Sequence, residues 1–221
     1  MIQSEFSQMC DFRVPTREEM LAALENRQGA DAVRKLQAAT VAVCGLGGLG
    51  SNIAISLARA GVGKLILVDF DCVDVTNLHR QQYKANQVGM PKPEALLANL
   101  KEIAPYSEFE PHFEKVTAEN AVTLLANTDV ICEAFDNAEA KAMLVNTVLE
   151  NMPEKFLVAA SGMAGYDSGN SITTRKVTKR FYVCGDGESD VADGIGLIAP
   201  RVMLCAAHQA LTAIRLILGK E

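Results

Sequence analysis

Between Val41 and Ser51 the chain reads VAVCGLGGLGS, and Gly45, Gly47 and Gly50 spell G-x-G-x-x-G, with Gly48 inside the same turn. An apolar run precedes these glycines and a helix-forming run follows them. In that setting the backbone can approach a phosphate closely, and the helix N-terminus offers N–H donors and the positive end of its dipole. Asp69 ends the next apolar run, 19 residues after Gly50, where a carboxylate can hold ribose hydroxyls. Both features suit a nucleotide with a free ribose. They do not choose among NAD, FAD and ATP.

A second set of residues bears on that choice. DFDCVDVTNLHRQQY carries Asp69, Asp71, Asn77, Arg80 and Gln81; GMPKPEA carries Lys92; EAFDNAEAK carries Asp136 and Asn137. Taken singly, Arg80 reads as a surface arginine, Lys92 as a lysine on a helix surface and Asp136 as a helix cap. Taken together at strand ends beside a glycine loop, they suit different chemistry. Hydride transfer leaves a pyrophosphate intact and needs few cations near it. Splitting the bond between the α and β phosphates builds charge on departing pyrophosphate, which calls for Arg, Lys and a metal ion.

These residues need strands and helices to bring them together. The pattern predicts a charged helix over 16–37, with Leu21, Leu24 and Val33 as its apolar contacts. Strands follow at 40–45, 64–71, 107–114, 129–135 and 155–161, with helices at 51–61, 91–105, 117–127 and 137–152 between them. Pro111 marks 107–114 as an edge strand. Such alternation implies a parallel sheet with right-handed crossovers, hence an α/β, Rossmann-like, doubly wound fold. In that fold the C-terminal ends of the strands share one crevice. Beyond Ser161 the rhythm changes. A Gly-, Ser- and Asp-rich stretch spans 162–196, with one strand expected around TTRKVTKRFYVCG, as an antiparallel C-terminal extension. APRVMLCAAHQALTAIRLILGK, apolar nearly all round, reads as a buried helix or a subunit contact.

Bulk composition narrows the class. At 221 residues, 49% apolar, the chain forms one domain (1–221) with its own core and an N-terminal helical arm over about 1–38. A net charge of −6 disfavours nucleic acid as a partner. The sequence has no run long enough for a membrane span, and MIQSEFSQMCDFRVPTREEM is too polar for a secretory signal. Cys10, Cys44, Cys72, Cys132, Cys184 and Cys205 are scattered without C-x-x-C spacing, which argues against a disulfide framework; Cys44, Cys132 and Cys205, within apolar runs, read as buried thiols, and the setting reads as reducing and cytoplasmic. His79, His112 and His208 lack metal-ligand spacing; His208, in an apolar run, reads as a core histidine. Arg175, Lys176, Lys179 and Arg180 form a basic run, read as a solvated strand edge or as a docking face for an acidic partner.

GLGGLGSN, DFDxVxxxNLxRQ, GxPK and the strand-terminal DN, in this order, resemble the ThiF/MoeB/HesA family of ubiquitin-activating-enzyme-like adenylyltransferases, most of all its short ThiF-type members of thiamine thiazole synthesis. The resemblance runs from about Arg27 to Gly219. It implies ATP-dependent adenylylation of the C-terminal glycine carboxylate of a ubiquitin-like sulfur carrier protein, with release of pyrophosphate. It further implies that Gly45, Gly47, Gly48 and Gly50 hold the phosphates and Asp69, beside Asp71, the ribose. Asn77, Arg80 and Lys92 would contact the phosphates with Gln81 in support, and Asp136 would hold Mg²⁺. Arg27, within NRQ, would reach across a homodimer into the partner's site. The segment Asp186 to Gly196 would wrap the carrier's tail. Cys184, near Lys179 and Arg180, is a candidate acyl acceptor, or else the remnant of a zinc motif.

Three departures from the family pattern stand out. Phe181 occupies the place of a first zinc cysteine, so no structural zinc is expected. Glu133 stands where an aspartate is common, and Lys141 where an arginine is common. Rival readings are an NAD-dependent oxidoreductase, which leaves Arg80, Lys92 and Asp136 without work, and a non-catalytic binding module. Within the favoured class the alternatives are a molybdopterin-type carrier or tRNA as the acceptor.

Overall fold

The computed structural model describes residues 13–220. Residues 1–12, with Cys10 and the start of the N-terminal arm, lie outside the described residues. The expected helix over 16–37 is two helices, α1 (Arg17–Gln28) and α2 (Ala30–Ala38), because Gly29 sits between them at φ +86°, a conformation that suits glycine alone. Thr16 opens α1 with a capping box to Glu19. No residue of α1 is fully buried; Leu21 and Leu24 are half-buried, whereas Val33 of α2 is in the core.

Seven strands follow: β1 (Thr40–Cys44), β2 (Lys64–Asp69), β3 (Glu108–Phe113), β4 (Val130–Glu133), β5 (Phe156–Ala160), β6 (Thr173–Lys176) and β7 (Phe181–Gly185). They form one sheet in the order β3-β2-β1-β4-β5-β7-β6. The helices between and after them are α3 (Gly48–Ala60), α4 (Lys92–Ile103), α5 (Ala118–Leu125), α6 (Ala138–Asn151) and α7 (Ala199–Ile217). All pairings are parallel except β6 with β7. The single strand expected around 173–185 is thus a hairpin. Its second arm, β7, extends the parallel sheet beside β5, and only β6 is antiparallel. The turn at 177–180 separates them, and Val177 donates its amide to the Phe181 carbonyl.

Alternation along the strands feeds two apolar layers. Val41, Val43, Leu65 and Leu67 face α3, α4 and α7 through Leu57, Leu96 and Cys205. Ala42, Cys44, Ile66 and Val68 face α5 and α6 through Leu125, Leu144 and Val148. α7 buries one face, including Val202, Ala206 and Ala213, and leaves Met203 and Leu211 exposed. The sheet's two margins differ in charge. β3 pairs only with β2, and carries Glu108 and Glu110 around Lys64, with His112 between Glu110 and Glu114. The opposite margin, β6, is exposed throughout and carries Arg175 and Lys176.

The chain leaves β1 toward β2 and β3, then returns to place β4 on β1's other side. The reversal opens a crevice at the carboxyl ends of β1 and β4. α3 comes very close to β1 there: a Cβ at Gly50 would lie 1.8 Å from the Gly45 carbonyl oxygen. Gly50→Ala should therefore lower the free energy of unfolding by about 1–3 kcal/mol, the usual cost of overpacking, and abolish nucleotide binding. Urea titration with and without ATP measures both, and an unchanged midpoint would refute this reading of the turn.

Candidate functional site

The crevice encloses about 470 Å³ and is lined by the glycine loop, the ends of β2, β4 and β5, and the segments around Arg80 and Gly187. The loop itself is tied down from two sides. Gly45 takes φ +89°, and its amide donates to the Val68 carbonyl at 2.8 Å. The Leu46 amide donates to Asp69 Oδ2 at 2.6 Å, and the Tyr83 hydroxyl donates to the Leu46 carbonyl at 2.7 Å. Asp69 Oδ1 accepts the Asp71 amide at 2.8 Å. One carboxylate at the end of β2 thereby fixes its own exit turn and the neighbouring phosphate-type loop. Burial raises the Asp69 pKa above the usual carboxylate range, and the nearby Lys92 ammonium and the two amides oppose that rise.

The structure brings Gly45, Gly47, Gly48, Asp69, Asp71, Asn77, Arg80, Gln81, Lys92 and Asp136 to this one crevice. Gly50 does not line it. It lies under the loop, where its missing side chain lets α3 meet β1. Arg27 does not line it either; it is exposed in the last turn of α1.

Each cation has a distinct setting. Lys92 is buried at the start of α4, with Nζ 2.8 Å from Asp71 Oδ2 and 3.9 Å from Asp69 Oδ2. Its amide donates to the Asp71 carbonyl, and Cys72 bridges Pro91, so two short backbone links hold it against β2. Arg80 is half-buried, donates to the Thr76 carbonyl at 3.2 Å, and lays its methylenes beside Gly48. Asn77 closes the short 3₁₀ turn begun at Asp74.

Gln81 is 7% exposed, and its Oε1 has no hydrogen-bond partner. A buried amide left unpaired costs about 1–3 kcal/mol. A flip exchanges its two ends, so a ligand could meet either its NH₂ or its carbonyl. Asp136 is exposed on the far side and, among the described residues, makes no hydrogen bond or ion pair.

Several supporting groups escaped the sequence reading. Asn52 donates to the Gly48 and Arg80 carbonyls and accepts from Gln82. Gln87 and Asn99 bond each other, and Asn99 also holds the Gln82 carbonyl. Arg201, 4% exposed in α7, donates to the carbonyls of Ala164, Asp167 and Ser168, to Ser171 Oγ and to Asp186. This hub fixes the wall from which Gly187, Glu188, Ser189 and Asp190 line the crevice. A cation in the first turn of a mostly apolar helix, where the helix dipole disfavours positive charge, was the available signal.

The thiols lie elsewhere. Cys184 is fully buried, its pKa raised by that burial, with the Thr174 and Thr212 hydroxyls nearby. It does not line the crevice, which counts against an acyl acceptor at this position. Burial likewise pushes Cys205 up to about 12. His208 is half-buried rather than core, 3.0 Å from Thr174 Oγ1. Among the described residues no three His, Cys, Asp or Glu side chains converge as a metal site, and no helix is long and apolar enough to cross a membrane.

Partial burial alone would raise the Asp186 pKa, but the Ser189 and Glu188 amides, the Ser189 hydroxyl and Arg201 outweigh it, and the carboxyl falls from 3.8 to about 2. A depressed carboxyl stabilises the fold above its unfolded pKa and loses that contribution as pH falls through the folded value. Urea midpoints should therefore drop between about pH 4 and pH 2, and Asp186→Asn should be less stable at pH 7 with a shallower acid slope. An equal slope in wild type and variant would contradict the assignment.

The sequence profile of the ThiF family matches residues 20–221. The chain is 32% identical over 206 residues to the adenylyltransferase and sulfurtransferase MOCS3 of Anopheles gambiae, covering 87% of this chain and 44% of the relative. It is 32% identical over 208 residues to the adenylyltransferase and sulfurtransferase uba4 of Aspergillus terreus, covering 85% and 41%. The chain thus spans less than half the length of these relatives. Among solved structures, E. coli tRNA N6-threonylcarbamoyladenosine dehydratase, TcdA, in complex with ATP superimposes with a TM-score of 0.84 at 22% identity, covering 94% of this chain and 98% of that one. At that identity the likeness concerns the fold, a Rossmann-like sheet. Its motifs, its sheet order and the profile match over nearly its whole length agree, and the chain belongs to the ThiF family.

Proposed function

We propose that the protein is an ATP-dependent adenylyltransferase that activates the C-terminal glycine carboxylate of a ubiquitin-like sulfur carrier protein of the ThiS type, in thiazole synthesis. One observation carries the reading: a single crevice joins a glycine loop and a ribose-type carboxylate to Arg80 and Lys92, the free carboxylate of Asp136 and the unpaired buried amide of Gln81. A nicotinamide enzyme would leave Arg80, Lys92 and Asp136 idle.

In this reading the glycine loop and the N-terminus of α3 seat the triphosphate, and Asp69 meets the ribose. Arg80 and Lys92 neutralise the phosphates, and Gln81 gains the hydrogen bond it lacks. Asp71 holds Lys92 in place before ligand arrives. The carrier's terminal carboxylate, ionised at neutral pH, attacks the α-phosphorus. The new bond joins carboxylate oxygen to phosphorus, the bond to the α–β bridging oxygen breaks, and pyrophosphate departs with that electron pair. No general base is required; the protein contributes alignment and charge stabilisation.

Asp136 fits Mg²⁺, since an exposed, unpaired carboxylate facing the phosphate region supplies a hard oxygen. Mg²⁺ commonly takes one or two carboxylates together with phosphate oxygens and water. Bound there, it would neutralise charge on the departing pyrophosphate. Arg27, away from its own chain's crevice, is assigned to the partner's crevice in a homodimer. The wall from Gly187 to Asp190 is assigned to the carrier's tail.

Arg80→Ala and Lys92→Ala should each slow carrier-dependent ATP–pyrophosphate exchange by about 10² to 10³, or ~3–4 kcal/mol, and Asp136→Ala by more. Exchange at wild-type speed in the first two would overturn the proposal. Deleting residues 187–193 should raise the carrier's KM and spare ATP affinity; the reverse pattern would reject the tail assignment. Thiamine-type and molybdopterin-type carriers ending in Gly-Gly, and tRNA, supplied in parallel, decide the acceptor.

A further inference from the structure

Lys141 lines the crevice near Asp136, yet its ammonium is spent within the protein. Nζ donates to Glu133 Oε1 at 3.0 Å, to Glu133 Oε2 at 3.1 Å and to the Ala160 carbonyl at 3.1 Å. Three donors meet three acceptors, so Lys141 has none left for a phosphate. Glu133 is completely buried, and its Oε1 also accepts the Phe135 amide at 2.7 Å. The cluster joins the last residue of β4, the first turn of α6 and the last residue of β5.

Asp136 lies on the short link between Glu133 and Lys141. Every bond that places this link is to its neighbours. The Ala134 amide donates to the Cys44 carbonyl at 2.8 Å, the Phe135 amide to Glu133, and Asn137 caps α6 by accepting the Ala140 amide at 2.9 Å. The Asp136 side chain contributes nothing to its own placement, for it has no partner among the described residues.

A buried ion pair is a poor device for stability, because desolvation offsets its attraction. An apolar pair of equal volume would pack as well, but it would hold neither the Phe135 amide nor the Ala160 carbonyl. What the pair supplies is direction. We propose that Glu133 and Lys141 are positioning residues for Asp136, a clamp whose combined length sets where that carboxylate meets the cation on the triphosphate. This rests on the reading of Asp136 as the cation's ligand.

Length makes the clamp testable. Aspartate at 133 is one methylene shorter and withdraws from both Lys141 and Phe135. Arginine at 141 reaches farther, with a planar fork, and overfills the gap. The two changes together restore the span. In the full chain, Mn²⁺ binding in the presence of a non-hydrolysable ATP analogue, followed by electron paramagnetic resonance, should weaken about 10- to 100-fold in Glu133→Asp and in Lys141→Arg, as for other groups that orient a metal ligand. The Phe135 amide should exchange hydrogen faster in the first of these without nucleotide. Glu133→Asp/Lys141→Arg should recover both readouts.

Wild-type Mn²⁺ affinity in both single variants would overturn the proposal. So would a double variant no better than its worse parent, or a lowered urea midpoint with unchanged Mn²⁺ affinity. Asp136→Asn separates the two levels. If it binds Mn²⁺ with nucleotide as wild type does, the ligand reading itself is wrong. If it loses Mn²⁺ while the clamp variants keep it, only the clamp is wrong.

Discussion

The carboxylate of Asp69 is the constraint on which the site depends. It closes the end of β2 on Asp71 and reaches across to the Leu46 amide of the glycine loop. Without an acceptor there, the loop would present an unpaired buried amide, and the turn between β1 and α3 would lose its register against β2. Lys92 enters because this buried charge needs a counterion, and Asp71 enters because Lys92 then needs a second partner. Ribose-type carboxylate, loop and cation are thus one object held by charge, and none can move alone.

The far side of the crevice is built on the same principle with different parts. Glu133 and Lys141 at the end of β4 mirror Asp69 and Lys92 at the end of β2: each is a buried acid whose oxygen takes a backbone amide of the following turn and whose charge is met by a lysine at a helix start. Arg201 closes the third side by collecting carbonyls from a segment that has little secondary structure of its own. Three buried charged clusters, each at an element's end, frame a space left open for phosphates.

Much of this was legible in the residues. Strand–helix alternation sufficed for the doubly wound sheet, because β1, β2, β4 and β5 are apolar runs bounded by turn residues, and the polar edge strand β3 was marked by Pro111. The crevice followed from topology, since residues at the carboxyl ends of parallel strands must converge, and Asp69, Arg80, Lys92 and Asp136 all do so. The helix over 16–37 failed at Gly29, where a left-handed backbone angle outweighs the propensity of its neighbours. The hairpin at 173–185 was hidden because its turn, Val177 to Arg180, is as basic and as β-prone as its arms. Gln82, Asn99 and Arg201 were missed because hydrogen bonds to distant carbonyls leave no periodic trace. Gly50, read from the motif for its nearness to phosphate, also meets a packing demand that the motif does not announce: a Cβ there would lie 1.8 Å from the Gly45 carbonyl oxygen.

The unlike margins of the sheet have one more effect. With acids concentrated along β3 and bases along β6, on opposite sides of seven strands, these margins give the molecule a transverse electric moment, and the crevice lies near its midpoint. A charged protein approaching at low ionic strength is turned by such a field before it touches the surface. Orientation at a distance is then a property of the sheet's outline, separate from the contacts that hold what arrives.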